Sequence, residues 1–422
     1  MDAIRQKGHF YRRASFGATL DELEANVSPQ TLLEGWLQAG SQSIPSPQLP
    51  MLPPLNRERD PASQKQLRLL GGQFATGLLE QMVTATNPLH ERITTIWRDH
   101  FVVGTNKFNI PHFLRDYEIR LRTFALGDFR DLLWSVTTSP AMMLYLDNQQ
   151  NRQGKLNENY SRELLELFTV GQGNYTEQDI QEGSRALTGW TINFPKAALT
   201  GEVESLFVAR RHDGGSKTYL GHMGNLATQD VVDILANSPH TARRISSKLW
   251  SEWVYPNPEP EIVTSLAGVY QAHQRQLAYV VEAIFSHPAF YSERAYRSRL
   301  KGPLAFVVGS IRQLQLQADY GQVLRSLAFM GQRPYGAPTV KGWPSDSGWL
   351  NAVALLDRLN LAQQMTQDNG DEGKFRYDPA NLNPQAVVRL LLDGETPSGS
   401  LPSLDIRDLT ALLLASPTYQ LA

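Results

Sequence analysis

The stretch LDNQQNRQGKLNENYSRELLELFTVGQGNYTEQDIQEGSRALTGW, Leu146–Trp190, decides how this chain is read. Polar and ionisable residues crowd it: Asp147, Asn148, Asn157, Glu158, Asn159, Arg162, Glu163, Glu166, Glu177, Asp179 and Arg185. Its apolar residues recur with helical spacing, and Gly171 and Gly173 stand where left-handed caps end a helix. Thr176 and Asp179 then form the capping box of a second helix. At about 100° per residue, a helix over Asn157–Val170 places Asn159, Arg162, Glu163 and Glu166 on one side. Tyr160, Leu164, Leu165, Leu167 and Phe168 fall on the other, so an apolar face is predicted beneath a polar one.

The polar face has two readings. Glu158, Arg162 and Glu166 are spaced i,i+4, as in a solvated salt-bridge ladder worth about 0.3–0.5 kcal/mol per pair. Such a ladder leaves Asn159 and Glu163 unexplained, with Glu163 one turn from a like charge. Neighbouring carboxylates in unlike surroundings can serve as acid and base. The expectation is a site in which Glu163 and Glu166 transfer protons and Arg162 tunes them.

Helical spacing continues outward. Asn87-Pro88 reads as a cap and first-turn proline opening LHERITTIWRDHF, which carries Glu91, Trp97, Asp99 and His100. Further helices are expected over 30–37, 66–84, 112–124, 229–236, 241–254, 260–273, 277–285, 298–316, 321–330, 351–365, 384–392 and 406–415. Residues 40–65 are rich in Pro, Ser and Gln and read as a surface loop. Residues 191–225 hold short alternating runs and turn signals and read as a β-hairpin-like insertion. The fold class is therefore mainly α: a single large helical domain over 1–422 with long Pro/Gly loops and a small β-hairpin insertion.

Composition narrows the function classes. The 422 residues carry a net charge of −2, which gives no basic footprint for nucleic acid. The absence of cysteine removes disulfides, thiolate nucleophiles and Cys-based metal sites. No apolar run reaches about 18 residues, so no membrane span is expected. The opening MDAIRQKGHFYRRASFG has no apolar core of the kind a signal peptide needs, which on its own reads as cytoplasmic. Phosphate loops of the GxxxxGK[ST] and GxGxxG types, the GxSxG elbow and haem motifs are absent. A divalent metal remains an option, with Glu158, Glu163 and His100 as candidate ligands and Asp147, Glu166, His212 and Asp213 as further donors. No HExxH pair supports it.

Several motifs together resemble the bacterial domain of unknown function (DUF) 1800 family. They are RRASFG at Arg12–Gly17, IWRDHFVVG at Ile96–Gly104, PAMMLYLDN at Pro140–Asn148, NENYSRELLELFTVGQGNYTEQDI at Asn157–Ile180, SRALTGW at Ser184–Trp190, HDGGSKTYLG at His212–Gly221 and MGQRPYGAPTVKGWP at Met330–Pro344. They run in family order through most of the chain. One departure is Arg98, where the family pattern usually has a second histidine. The resemblance implies no settled activity. It implies gene neighbours resembling the alkaline phosphatase and sulfatase fold, and frequent export to the periplasm or beyond.

The reading that fits best is an acid/base hydrolase or lyase on a glycan or related polymer. Glu163, Glu166 and Arg162 would do the chemistry, with His212 and Asp213 reaching in as a lid hinged at Gly214-Gly215. Asp147, Asn157, Asn159, Arg185, Trp97, Trp190 and Trp343 would hold the sugar. The alternatives are a non-catalytic partner for the neighbouring gene's product and a metal-dependent hydrolase.

Overall fold

Prolines open helices here more often than they break them. Asp60-Pro61, Asn87-Pro88, Ser139-Pro140, Ser238-Pro239, Asn383-Pro384 and Ser416-Pro417 each start one, and each cap side chain accepts a first-turn backbone N–H. Proline costs nothing there, because a first-turn N–H has no helical partner. The computed structural model describes all residues but 42–51, 57–59, 109, 345, 350, 368–373 and 396–402. The described residues form twenty-one α-helices and three two-stranded antiparallel sheets, a mainly α fold. None of these helices is long and apolar enough to cross a membrane.

Residues 42–51 and 57–59, half of the 40–65 stretch expected as a loop, lie outside the described residues, and residues 40–41 and 61–65 belong to helices. Of the rest, Leu55 is buried and its N–H donates to Ala197 O at 2.9 Å. The 191–225 insertion contains a helix, Phe194–Thr200, flanked by the paired strands Trp190–Ile192 and Ser205–Phe207. A hairpin, Lys217–Tyr219 with His222–Gly224, follows. Two helix expectations change. Helix starts at Pro303, not at 298, leaving residues 298–302 in non-helical backbone behind the proline. The signature helix starts at Asn159, and after Glu163 it widens into a π turn over Leu164–Phe168.

The Pro88–His100 helix runs through the middle of a hydrophobic cluster that extends from Phe10 to Tyr419. Its Leu89, Ile93 and Trp97 are fully buried, and Trp97 Nε1 donates to Ala125 O at 2.8 Å. A second face carries an interior ion network. Arg98 Nη2 and Arg122 Nε reach Glu118 Oε1 at 2.7 and 2.8 Å, and Arg122 Nη2 reaches Glu91 Oε2 at 2.6 Å. Tyr335 OH donates to Glu118 Oε2 at 2.5 Å. Two guanidinium groups meet two carboxylates, so the burial cost of each charge is offset locally.

Burial by itself would push Glu118 up, but Arg98 and Arg122 overcome it and hold the carboxyl at about 2. A depressed carboxyl stabilises the fold above its unfolded value, about 4.3. That contribution is lost as the pH falls from there toward 2. Glu118→Ala is expected to cost about 3–5 kcal/mol in denaturant unfolding and to flatten the acid limb of the stability curve between those values. An unchanged acid limb would count against the network's role.

Candidate functional site

The signature stretch folds into a tight polar frame. Arg162 makes a two-pronged pair with Glu177, at 2.9 and 2.8 Å, and a longer contact with Glu158 at 3.6 Å. The expected ladder is thus half formed, because Glu166 turns instead to Gln172 Nε2 at 2.6 Å and Tyr175 OH at 3.1 Å. Asn157 Oδ1 caps the Asn159 N–H at 3.0 Å, while the buried Asn151 amide donates to Ser184 O at 2.7 Å. Asn159 itself is exposed, and Asp147, in left-handed backbone, pairs with Lys107. Glu163 is half-buried without a hydrogen bond among the described residues, and burial and then Glu166 push its carboxyl up.

The HDGG segment is a clasp on the next helix. Arg185 grips Asp213 through Nε and Nη2 at 2.8 and 3.1 Å, and its Nη1 reaches Glu182 at 2.9 Å. The Arg185 guanidinium holds the Asp213 carboxyl at about 2. His212 Nδ1 lies 3.1 Å from Thr188 O, and Lys217 Nζ donates to Asp213 O at 2.6 Å. No hydrogen bond or ion pair among the described residues links His212 or Asp213 to Glu163 or Glu166.

The tryptophans separate. Trp97 is core, and half-buried Trp190 donates to Thr228 Oγ1 at 2.9 Å and meets Trp134 edge-on. Of Trp97, Trp190 and Trp343, the last lines a cavity, as does Trp349, 6.1 Å away between ring centres. Among the described residues no three His, Asp or Glu side chains are grouped to hold a metal ion. His100 Nε2 sits 3.0 Å from Phe168 O, and burial drives the ring well below its usual pKa, hence to the neutral form.

The cavity lies elsewhere, where three of the motifs meet. It measures about 140 Å³, and a single ordered water needs about 10–15 Å³. Arg12, Arg13 and Phe16 come from RRASFG; Asp99 comes from IWRDHF; Tyr335, Trp343 and Pro344 come from the last motif. The wall also includes Arg92, Glu252 and the non-helical Arg299–Gly302 run. Asp99 accepts the Trp343 N–H at 3.0 Å. Burial, with the charge of Glu252 beside it, pushes Asp99 up despite Lys248. Glu252 moves the other way: Arg299, Lys248 and Arg92 outweigh its burial and hold it low.

Asp99 also borders a more open groove of about 580 Å³, lined by His240, Arg243, Arg244, Lys248 and Lys341. Glu163 is close enough to feel the Lys341 charge, which places it near this groove rather than in the cavity. In the sequence Asp99 is one ionisable residue among several on its helix, and Glu252 and Lys301 carry no signal of a site. The available signal was the motif set itself, since RRASFG, IWRDHF and KGWP each send residues to one wall.

Residues 9–421 match the family described as "Protein of unknown function (DUF1800)", and the chain belongs to that family. No curated protein and no solved structure matches it.

Gly342 fixes where Asp99 sits. Its φ is +89°, and a Cβ there would lie 2.7 Å from Asp99 Oδ1 and 2.9 Å from Asp99 O. Gly342→Ala is therefore expected to cost about 1–3 kcal/mol in equilibrium unfolding. It should also alter the near-ultraviolet signal of the adjacent tryptophans. A neutral outcome would mean that the loop does not hold Asp99 at this distance.

Proposed function

We propose that the chain is an acid/base hydrolase or lyase acting on an anionic glycan or related polymer, with its chemistry in the cationic cavity. The observation that carries the reading is the Asp99 and Glu252 pair. Their surroundings drive the two carboxyls in opposite directions, which is how an acid and a base are assigned from one residue type. Asp99, whose carboxyl burial pushes toward its protonated form, gives its proton to the leaving oxygen. Glu252, held ionised, takes a proton from water in a hydrolase, or from a C–H beside a substrate carboxylate in a lyase. The Trp343 ring in the wall offers a flat apolar surface for a sugar face, and the surrounding arginines supply charge for anionic substituents. In this reading the acid/base work expected of Glu163 and Glu166 passes to Asp99 and Glu252, and Glu163 serves the groove's rim.

The test is a panel of neutral and acidic glycans, read as new reducing ends for hydrolysis and as unsaturated ends absorbing in the ultraviolet for elimination. Asp99→Asn and Glu252→Gln are each expected to lower kcat by about 10²–10⁴, with Tm nearly unchanged. Glu163→Gln should leave kcat within a few fold. If Glu163→Gln abolishes turnover and Asp99→Asn does not, the chemistry belongs to the signature helix.

The pH profile gives a second check. Activity requires Glu252 ionised and Asp99 protonated, so kcat/KM should fall on the acid side as Glu252 gains a proton. It should fall on the alkaline side as Asp99 loses one. Lys248 lowers both carboxyls, so Lys248→Met should move both limbs to higher pH. Movement of either limb to lower pH would contradict the assignment.

A further inference from the structure

The interior of this protein holds two ion clusters side by side, and only one is balanced. Arg98, Arg122, Glu91 and Glu118 pair completely. Around the cavity wall, six cationic side chains, Arg12, Arg13, Arg92, Arg297, Arg299 and Lys301, share four carboxyls among the described residues, Asp393, Asp346, Glu252 and Asp99. Asp393 takes both Arg12 and Arg297, and Arg299 reaches Asp346 and Glu252. Among the described residues Arg13 donates only to neutral oxygens, Ala295 O at 2.7 Å and Ser298 Oγ at 2.9 Å. Arg92 and Lys301 have no ion-pair partner among the described residues.

The unmet donors point the same way. Nε and Nη2 of Arg12, Nε of Arg13, Nε of Arg92 and Nζ of Lys301 are all buried without a hydrogen-bond partner among the described residues. Lys301 Nζ rests on the Tyr419 ring, 3.4 Å from its centre, where burial and then the Arg297 and Arg12 charges push its pKa well below the ordinary lysine value. Guanidinium groups do not shed their protons at ordinary pH. Their mutual repulsion therefore persists as a cost unless an anion enters. Each of Arg12, Arg13, Arg92 and Lys301 contributes to the wall of one cavity with room for an anion and an attached ring.

We infer that the inner end of the cavity binds a tetrahedral oxyanion carrying two negative charges, either a phosphoryl group on the substrate or a free phosphate ion. Arg12, Arg13, Arg92 and Lys301 are its donors. Doubly charged tetrahedral oxygen matches both the surplus of positive charge and the number of unmet N–H groups better than a singly charged planar carboxylate. The inference rests on the cavity being the substrate site and names the chemical group that the substrate places there.

The experiment is titration calorimetry and thermal unfolding of the full chain with inorganic phosphate, glucose 6-phosphate, acetate and chloride at matched ionic strength. Phosphate should bind at one site per chain and raise Tm, and acetate and chloride should not. Tighter binding of glucose 6-phosphate than of phosphate identifies an esterified phosphoryl group; equal or weaker binding identifies the free ion. Arg92→Gln and Lys301→Met should each weaken phosphate binding at least tenfold. Without phosphate, Lys301→Met should melt no lower than the parent protein, because it removes an unpaired buried amine. Should Lys301→Met fail to fold, Arg92→Gln, at the less buried side of the wall, carries the test.

Phosphate that acts no more strongly than chloride, or equally on the parent and Arg92→Gln, would overturn the inference as a bulk salt effect. Asp99→Asn separates the two claims, since it should lose turnover and keep phosphate binding. Phosphate binding without turnover on any glycan leaves the anion site standing and removes the enzyme. Turnover without phosphate binding does the reverse.

Discussion

The pairing of Glu118 with Arg98 and Arg122 is the constraint on which the rest of the structure hangs. Those bonds fix the rotation of the Pro88–His100 helix about its own axis. Leu89, Ile93 and Trp97 then face the apolar core, and Glu91 and Arg98 face the ion network. Arg92, Thr95, Ile96 and Asp99, on the remaining side at i, i+3, i+4 and i+7, are left to the cavity. Turning this helix by one residue would bury Asp99 in hydrocarbon and carry Glu91 away from Arg122. The Arg98 guanidinium grips Glu118 with two prongs, Nε at 3.0 Å and Nη2 at 2.7 Å, so its plane fixes the carboxylate's orientation.

The helices were legible in the sequence because their starting signals are local. Thr176 with Asp179 forms the full capping box that its spacing predicts. Asn87-Pro88 opens a helix as expected. Signals that depend on distant parts of the chain were not legible. A 3.6-residue wheel carries Glu166 back toward Arg162, but the π turn over Leu164–Phe168 rotates the helix away from that register. Arg162 finds Glu177 on the following helix instead.

The site was less legible than the fold, for a related reason. Charge density along a sequence marks places where charges meet partners nearby, and Leu146–Trp190 is rich in such pairs. The cavity is the opposite case. Its arginines and its lysine are dilute in sequence, set among apolar residues in FYRRASF and SRLKGPL, and what distinguishes Arg12, Arg13, Arg92 and Lys301 is a buried N–H group left unmet among the described residues. Lys301 also fell within a span read as helix, where a charged residue reads as surface. Pro303 delays that helix and leaves the Arg299–Gly302 run to line the cavity.

The π turn links the crowded stretch to the cavity after all. Widening a helix by one residue leaves carbonyl groups without their usual N–H partners. Leu167 O accepts Arg244 Nε at 3.0 Å, and Phe168 O meets His100 Nε2 at the same distance. His100 is the neighbour of Asp99, and Arg244 lines the groove that Asp99 borders. The Arg162–Glu177 and Arg185–Asp213 pairs brace the helices on either side of the glycine turn, so the two freed carbonyls are presented from a stiff frame. On this argument the polar crowd of the signature stretch is a support. It holds the end of the Pro88–His100 helix in place, and with it the carboxyl at the junction of cavity and groove.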